Sequence, residues 1–200
     1  MILASSNKRR RNNDYGRCVA GITENGKWIR LVADGTGDSL PVHVGKKLKP
    51  FLIINANVTF APLKYQPENA ILLDYSRIGN YESTYFNAAY NSHPEQYIFG
   101  NLSNRLSEDE MSRINGSLRM IKASDIEIYK NDKESWKIKF KHFKHDGNMT
   151  TVLSEYEDIA MTDPDFYRVK KIGAACIVLS LPSDKGGYSA YYKFVAAIHI

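Results

Sequence analysis

RCVAGITENGKWIRLVA, Arg17 to Ala33, is the stretch on which the reading of the whole chain turns. Asn25-Gly26 supplies two residues tolerant of positive φ, and β-rich runs flank them, so the stretch predicts a hairpin closed by a two-residue type I′ turn. If Glu24 faces Lys27, the cross-strand pairs are Thr23/Trp28, Ile22/Ile29, Gly21/Arg30, Ala20/Leu31, Val19/Val32, Cys18/Ala33 and Arg17/Asp34. One face is then apolar through Cys18, Ala20, Ile22, Ile29, Leu31 and Ala33. The other presents Trp28 beside Arg17 and Arg30, an indole and two guanidinium groups able to hold a base or a phosphate. The plainer alternative is that Trp28 packs on a neighbouring element and an arginine covers its ring.

Outward from the hairpin, composition sets the class. The chain has 200 residues, is 43% hydrophobic and carries a formal net charge of +5, which predicts one or two globular domains and a lean towards a polyanionic partner. No apolar run approaches the roughly 18 residues of a membrane span. The opening MILASSNKRRR sets a very short apolar segment before its charges, the reverse of a secretory signal, so the expectation is cytoplasmic. Cys18 and Cys176 each lie in an apolar strand-like run, without a CxxC or paired histidines, and read as reduced packing thiols. Neither a metal nor another cofactor is implied.

Before the hairpin, Lys8, Arg9, Arg10 and Arg11 form a cationic loop that can grip phosphate or simply be solvated. After it, FLIINANVTFAPL (51–63) reads as a strand, and Gln66, Glu68 and Asn69 occupy a polar turn whose side chains can meet base edges or merely close the turn. A strand follows at 70–74. From Tyr75 to Asn104 the alternation is lost, and a Tyr-rich loop with a short helix near 84–90 is expected. Ser107-Glu108-Asp109-Glu110 is a capping box that opens a helix ended by Gly116. Beyond it, WKIKFK (136–141) alternates strictly, turning Trp136, Ile138 and Phe140 inward and Lys137, Lys139 and Lys141 outward. Such a lysine row suits a phosphate track, and equally a solvated or edge-protecting face. A last hairpin, with strands at 174–181 and 188–200, is apolar on both faces.

About five β segments precede the Ser107 helix and about five follow, with no βαβ spacing. The expected fold is therefore mainly β: two tandem OB-like β-barrels, at 1–104 and 118–200, joined by a helical linker at 105–117. ILASSNK (2–8), GRCVAGI (16–22), GKWIRLV (26–32), YQPENAILLD (65–74), SLRMIK (117–122), TDPDF (162–166), CIVLSL (176–181) and YYKFVAAI (191–198) together resemble the dual OB-containing domain of bacterial proteins. The resemblance implies two tandem OB folds and a binder of nucleic acid or nucleotides, sometimes placed beside enzymes of bacterial conflict or DNA processing. No catalytic set comes with it. The matching positions that can share a site are Ser5 and Lys8; Arg17, Trp28 and Arg30; Gln66, Glu68 and Asn69; and Tyr192 and Lys193. Leu31 stands where relatives often have proline, and the basic insertion after Lys8 is long for the family.

The five histidines are scattered, and no GxSxG, HExxH or P-loop occurs, so no catalytic constellation is visible. The leading expectation is a non-catalytic module for single-stranded nucleic acid or a nucleotide-like ligand. Trp28 would stack a base, and Arg17, Arg30 and the 8–11 loop would hold phosphate. The alternative is a protein-interaction or ligand-sensing domain that uses the Tyr-rich 81–99 segment.

Overall fold

The computed structural model describes residues 1–9, 14–91, 98–145, 151–167 and 171–200. In the first half, β1 (Ile2–Arg9), β2 (Tyr15–Ile22) and β3 (Trp28–Val32) form an antiparallel meander. β4 (Leu40–Pro41) and the single-turn α1 (Val42–Gly45) follow, with β4 pairing onto β2. β3 then runs parallel to β6 (Asn69–Asn80), which pairs antiparallel with β5 (Leu52–Phe60). A Phe51 N–H donated to Ile2 O at 2.8 Å brings the start of β5 back to β1.

The second half repeats this order. β8 (Leu118–Lys130), β9 (Trp136–His145) and β10 (Thr151–Met161) are the meander, and β10 runs parallel to β13 (Phe194–His199). β13 pairs antiparallel with β11 (Lys171–Ser180), and β11 with β8, which closes the barrel. The same five-strand path, third strand parallel to fifth, recurs in both halves, with β4 added beside β2 in the first, and the chain is two tandem OB-like barrels. Between them lie α2 (Ser83–Asn91), β7 (Arg105–Leu106) and α3 (Glu108–Ser112), and β7 pairs with β12 (Tyr191–Tyr192). α3 starts on the expected capping box: Ser107 Oγ accepts from Glu110 N, and Glu110 Oε2 accepts from Ser107 N at 2.8 Å. The alternation that was expected to end at Tyr75 instead runs on as β6 to Asn80, through two bulges that leave Leu73 and Ile78 exposed.

The first hairpin corrects the expected register by one residue. Its loop has three residues, with Thr23 N donating to Lys27 O at 2.9 Å and Gly26 N to Thr23 O at 3.0 Å, and Gly26 alone in it takes positive φ, 72°. A type I turn followed by one left-handed residue needs only that glycine, whereas the type I′ turn needs Asn25 there as well. The pairs become Ile22↔Trp28, Gly21↔Ile29, Ala20↔Arg30 and Val19↔Leu31. Because side chains alternate between faces, the slip moves every β3 residue to the opposite face relative to β2. Ile29 and Leu31 now join Val19, Leu40 and Leu48 inside the first barrel. Trp28 and Arg30 share a face with Cys18, Ala20 and Ile22, and Arg17 lies on the other face, so the expected Arg17–Trp28–Arg30 surface does not form.

That displaced face is covered. Ala20, Ile22, Met1 and Leu3 pack with Leu118, Met120, Val178 and Ala196 of the second barrel, while Trp28 joins Tyr85, Phe86 and Tyr90 of α2 at the margin of this layer. The apolar layer is continuous from one barrel to the other. Within the first barrel Gly21 lets the chain start close on β2, since a Cβ there would stand 2.4 Å from Met1 O.

Candidate functional site between the barrels

Arg30 sits on β3 at the centre of the inter-barrel layer and is 2% exposed. Its Nη2 donates to Glu68 Oε1 at 3.3 Å, Ser117 Oγ at 2.6 Å and Ser180 Oγ at 3.2 Å, and its Nη1 to Cys18 Sγ at 2.9 Å. Glu68 also accepts the Ser117 hydroxyl and, at 3.3 Å, the Ser117 N–H. Burial works against the Arg30 charge, but Cys18 and Glu68 outweigh it and hold the guanidinium above its ordinary pKa. One side chain thus ties the first barrel to both strands of the β8–β11 pair at a single end of that ladder, where Ser180 lies opposite Leu118. Arg30 Nε has no hydrogen-bond partner among the described residues.

The turn before β6 completes the centre. Gln66 N and Leu63 O bond at 3.1 Å to close the turn, which aims Gln66 Nε2 at Leu181 O, 2.9 Å away. Asn69 Nδ2 donates to Gln66 Oε1 at 3.3 Å, and Asn69 Oδ1 lacks a partner among the described residues. Beside this network is a crevice of about 300 Å³. Ser6, Lys8, Cys18, Arg30 and Gln66 line it from the first barrel, and Thr162, Ser180, Leu181, Phe194 and Ala196 from the second. Its position follows from the register slip, which sends Arg30 outward from the first core and into the seam.

Of the expected site residues, Lys8, Arg30, Gln66, Glu68 and Asn69 are therefore brought to one place. The others are not. Ser5 Oγ donates to Gly45 O at 3.1 Å, and Arg17 Nη1 donates to Ser5 O at 2.9 Å, so this pair braces α1 against β1. Tyr192 stacks edge-on against Tyr188, 5.5 Å between centroids. Lys193 is fully buried, and its Nζ donates to Ile98 O at 2.7 Å and to Asn101 O and Oδ1, both at 2.8 Å. Burial pulls its pKa down to about 7, against the pull of Glu110. Lys193 is thus an anchor for the 98–101 segment.

Lys137 donates to Asp158 O at 3.2 Å, Lys139 pairs with Glu127 at 3.0 Å, and Lys141 pairs with Asp125 at 3.0 Å and Glu155 at 3.7 Å. The row is outward-facing as expected, but it is answered by carboxylates from both neighbouring strands. The Arg9 side chain, Arg10 and Arg11 lie outside the described residues.

Sequence reasoning missed Cys18, Ser117, Ser180 and Thr162. The signal was present for two of them, because Ser117 opens SLRMIK and Ser180 nearly closes CIVLSL, the two strands that pair at Leu118 and Ser180. Within TDPDF, Asp163 plays a structural part, accepting from Asp165 N at 3.1 Å and Ile198 N at 3.0 Å, while burial raises its pKa. Among the described residues no group of three or more His, Cys, Asp or Glu side chains is placed to hold a metal ion, and no helix is long and apolar enough to cross a membrane.

No curated protein matches the chain. The family model for the dual OB-containing domain matches residues 1–198, essentially the full length, in agreement with the repeated five-strand topology. The chain belongs to the dual OB-containing domain family.

Proposed function

We propose that this chain is a non-catalytic binding module that takes a nucleotide-like ligand in the crevice between its barrels. The carrying observation is the crevice itself, built from both halves around Arg30. About 300 Å³ is at the lower end of ligand-site volumes and suits one base with part of its sugar rather than a stacked run. The Arg30 Nε donor, on a residue that lines the crevice, is the kind of unpaired polar atom that a base edge satisfies. Lys8 stands where a phosphate attached to that base can be met, and it leads into the Arg9–Arg11 run. Trp28 is withdrawn from this role because its ring packs at the seam. The expected 8–11 loop begins instead as the end of β1, which holds Lys8 and Arg9, and a longer single strand would engage through its phosphates on Lys8 and the basic residues next in sequence, with one nucleotide in the crevice. The division into 1–104, 105–117 and 118–200, and a place in bacterial defence or DNA processing, belong to the same proposal.

The test is a titration of nucleoside monophosphates and short single-stranded DNA and RNA into wild type, Lys8→Ala and Cys18→Phe, with melting checked for each. The expected result is binding that weakens about tenfold in Lys8→Ala, is blocked in Cys18→Phe, and falls with salt by about 0.7 log units per phosphate contacted per log unit of salt. Absence of binding at low salt, or equal binding in all three proteins, overturns the reading. A second reading, a protein-interaction module, is favoured by the exposed Phe60, Leu73 and Ile78 on the β5–β6 hairpin.

A further inference from the structure

The fourth strand of each barrel is held differently. β11 is paired on both edges, by β13 and by β8, whereas β5 is paired on one, by β6. Among the described residues no second strand hydrogen-bonds the other edge of β5. β1 holds the place in the first barrel that β8 holds in the second, yet it does not supply the missing ladder. β8 serves β11 with its first part and β9 with its last, while β1 is taken up by β2 from Ile2 to Arg9. The link back to β1 is the Phe51 N–H on Ile2 O, ahead of β5.

The polarity of the free edge follows from the ladder on the other side. Ala61 N donates to Asn69 O at 3.0 Å, in the same register as Thr59↔Ile71, so alternation turns the backbone groups of Thr59, Asn57 and Asn55 towards β6. The N–H and C=O groups of Ile54, Ala56, Val58 and Phe60 therefore point away from β6, and among the described residues they meet no strand. Sheet edges are ordinarily blunted by lysine, proline or a bulge on the edge strand. FLIINANVTF (51–60) holds no charge and no proline, and both bulges of the pair put their extra residue on β6. An edge left this way is a template for another strand, and an antiparallel strand is what β11 accepts in the second barrel.

β5 is complementary to itself. About a two-fold axis at Asn57, Ile54 lies opposite Phe60 of the second copy and Ala56 opposite Val58, so each outward-facing backbone group meets another outward-facing one. A slip by one residue would set them against groups already bonded to β6. The side chains agree with this register. Ile54 and Val58 lie on the face that packs in the first core, so their pairs extend an apolar face and cover Phe60, which is 69% exposed in the single chain. On the exposed face Asn57 meets its own copy, and Asn55 meets Thr59, all uncharged and able to hydrogen-bond.

We propose that the free edge of β5 is a homodimer interface, with two copies of this chain pairing antiparallel over residues 54–60 about an axis at Asn57. It stands apart from the nucleotide reading, since no residue of β5 lines the crevice.

The test is sedimentation velocity of the full chain over a wide range of concentration, for wild type and Ala56→Pro, with melting checked for both. Proline at 56 removes an outward N–H and no bond to β6. Wild type is expected to move from the mass of one chain towards that of two as concentration rises, and Ala56→Pro to stay at the mass of one. A second arm compares disulfide cross-linking of Asn57→Cys and Asn55→Cys, both at exposed positions, under a mild oxidant. Residue 57 opposes itself at a non-hydrogen-bonded pair, where Cα atoms stand about 4.5 Å apart, within reach of a disulfide, whereas residue 55 opposes 59. Cross-linked dimer should form at least tenfold faster from Asn57→Cys. Wild type that stays a monomer at every concentration, a folded Ala56→Pro that dimerises like wild type, or equal cross-linking at 55 and 57 overturns the proposal. If Ala56→Pro melts early, the cross-linking comparison decides.

Discussion

The outer faces of β2–β3 and β9–β10 occupy the same place in two barrels of one topology, yet one is an interior and the other a surface. On the first, Cys18, Ala20, Ile22 and Trp28 offer apolar area, and a lone cation, Arg30, is answered by Glu68. On the second, three lysines lie among carboxylates, a face that water solvates better than protein can. Topology therefore says where a face points, and its side chains decide whether it is buried.

This contrast breaks most visibly at Glu68. Glu68→Ala leaves Arg30 buried without its carboxylate and is expected to cost about 3–5 kcal/mol in urea unfolding. Replacing the pair together, Arg30→Met with Glu68→Leu, should recover most of it. A loss below 1 kcal/mol in the single variant would mean that the seam is wet and the two faces are more alike than described. Next comes Trp28→Ala, which removes a half-buried ring and should cost about 2–3 kcal/mol, somewhat less than a fully buried aromatic. In a variant that still folds, nucleotide affinity should be kept. An affinity loss without a stability loss would return Trp28 to a base-stacking role.

Lys193→Met sharpens the comparison from inside the second barrel. It strips the donor from three oxygens and should cost about 1–3 kcal/mol. The same residue gives a pH signature. Its folded pKa of about 7 lies below the unfolded value, near 10.4, so between these limits the unfolded chain holds more protons. Stability attributable to Lys193 should therefore rise with pH from about 7 to about 10.4, and that slope should vanish in Lys193→Met.

His199 acts at the acid end. Burial lowers its pKa, while its Nε2 bonds Leu3 O at 2.8 Å, so stability should fall as pH drops below about 6.5, where the unfolded chain takes up the proton. A thermal melt series across these windows, on wild type and Lys193→Met, reads both effects. The smallest effect belongs to the outer lysines. Changing Lys137, Lys139 and Lys141 to Gln should leave the melting temperature within experimental scatter and leave single-strand affinity unchanged. A marked affinity loss would restore the track across the second barrel.

Much of this architecture was readable in advance, because it rests on local order. The alternation of Trp136 to Lys141 and the capping box at Ser107 depend on residues a few places apart and formed as expected, whereas the final strand, expected over 188–200, is confined to Phe194–His199 because Tyr191–Tyr192 pairs with β7. The polar turn at Gln66, Glu68 and Asn69 was legible as a cluster for the same reason. Its target was not.

What the sequence determined by itself is the set of strands, their inward and outward residues where alternation is strict, and membership of a two-barrel family. Only the tertiary structure decided the hairpin register and the site. A single positive φ at Gly26, rather than two, slipped β3 by one residue and exchanged its faces. Arg30 then met partners 38, 87 and 150 residues away, at Glu68, Ser117 and Ser180. Local periodicity carries no information about contacts at such separations. They form because a buried guanidinium must be hydrogen-bonded, and only the closing of one barrel on the other brings those oxygens within reach.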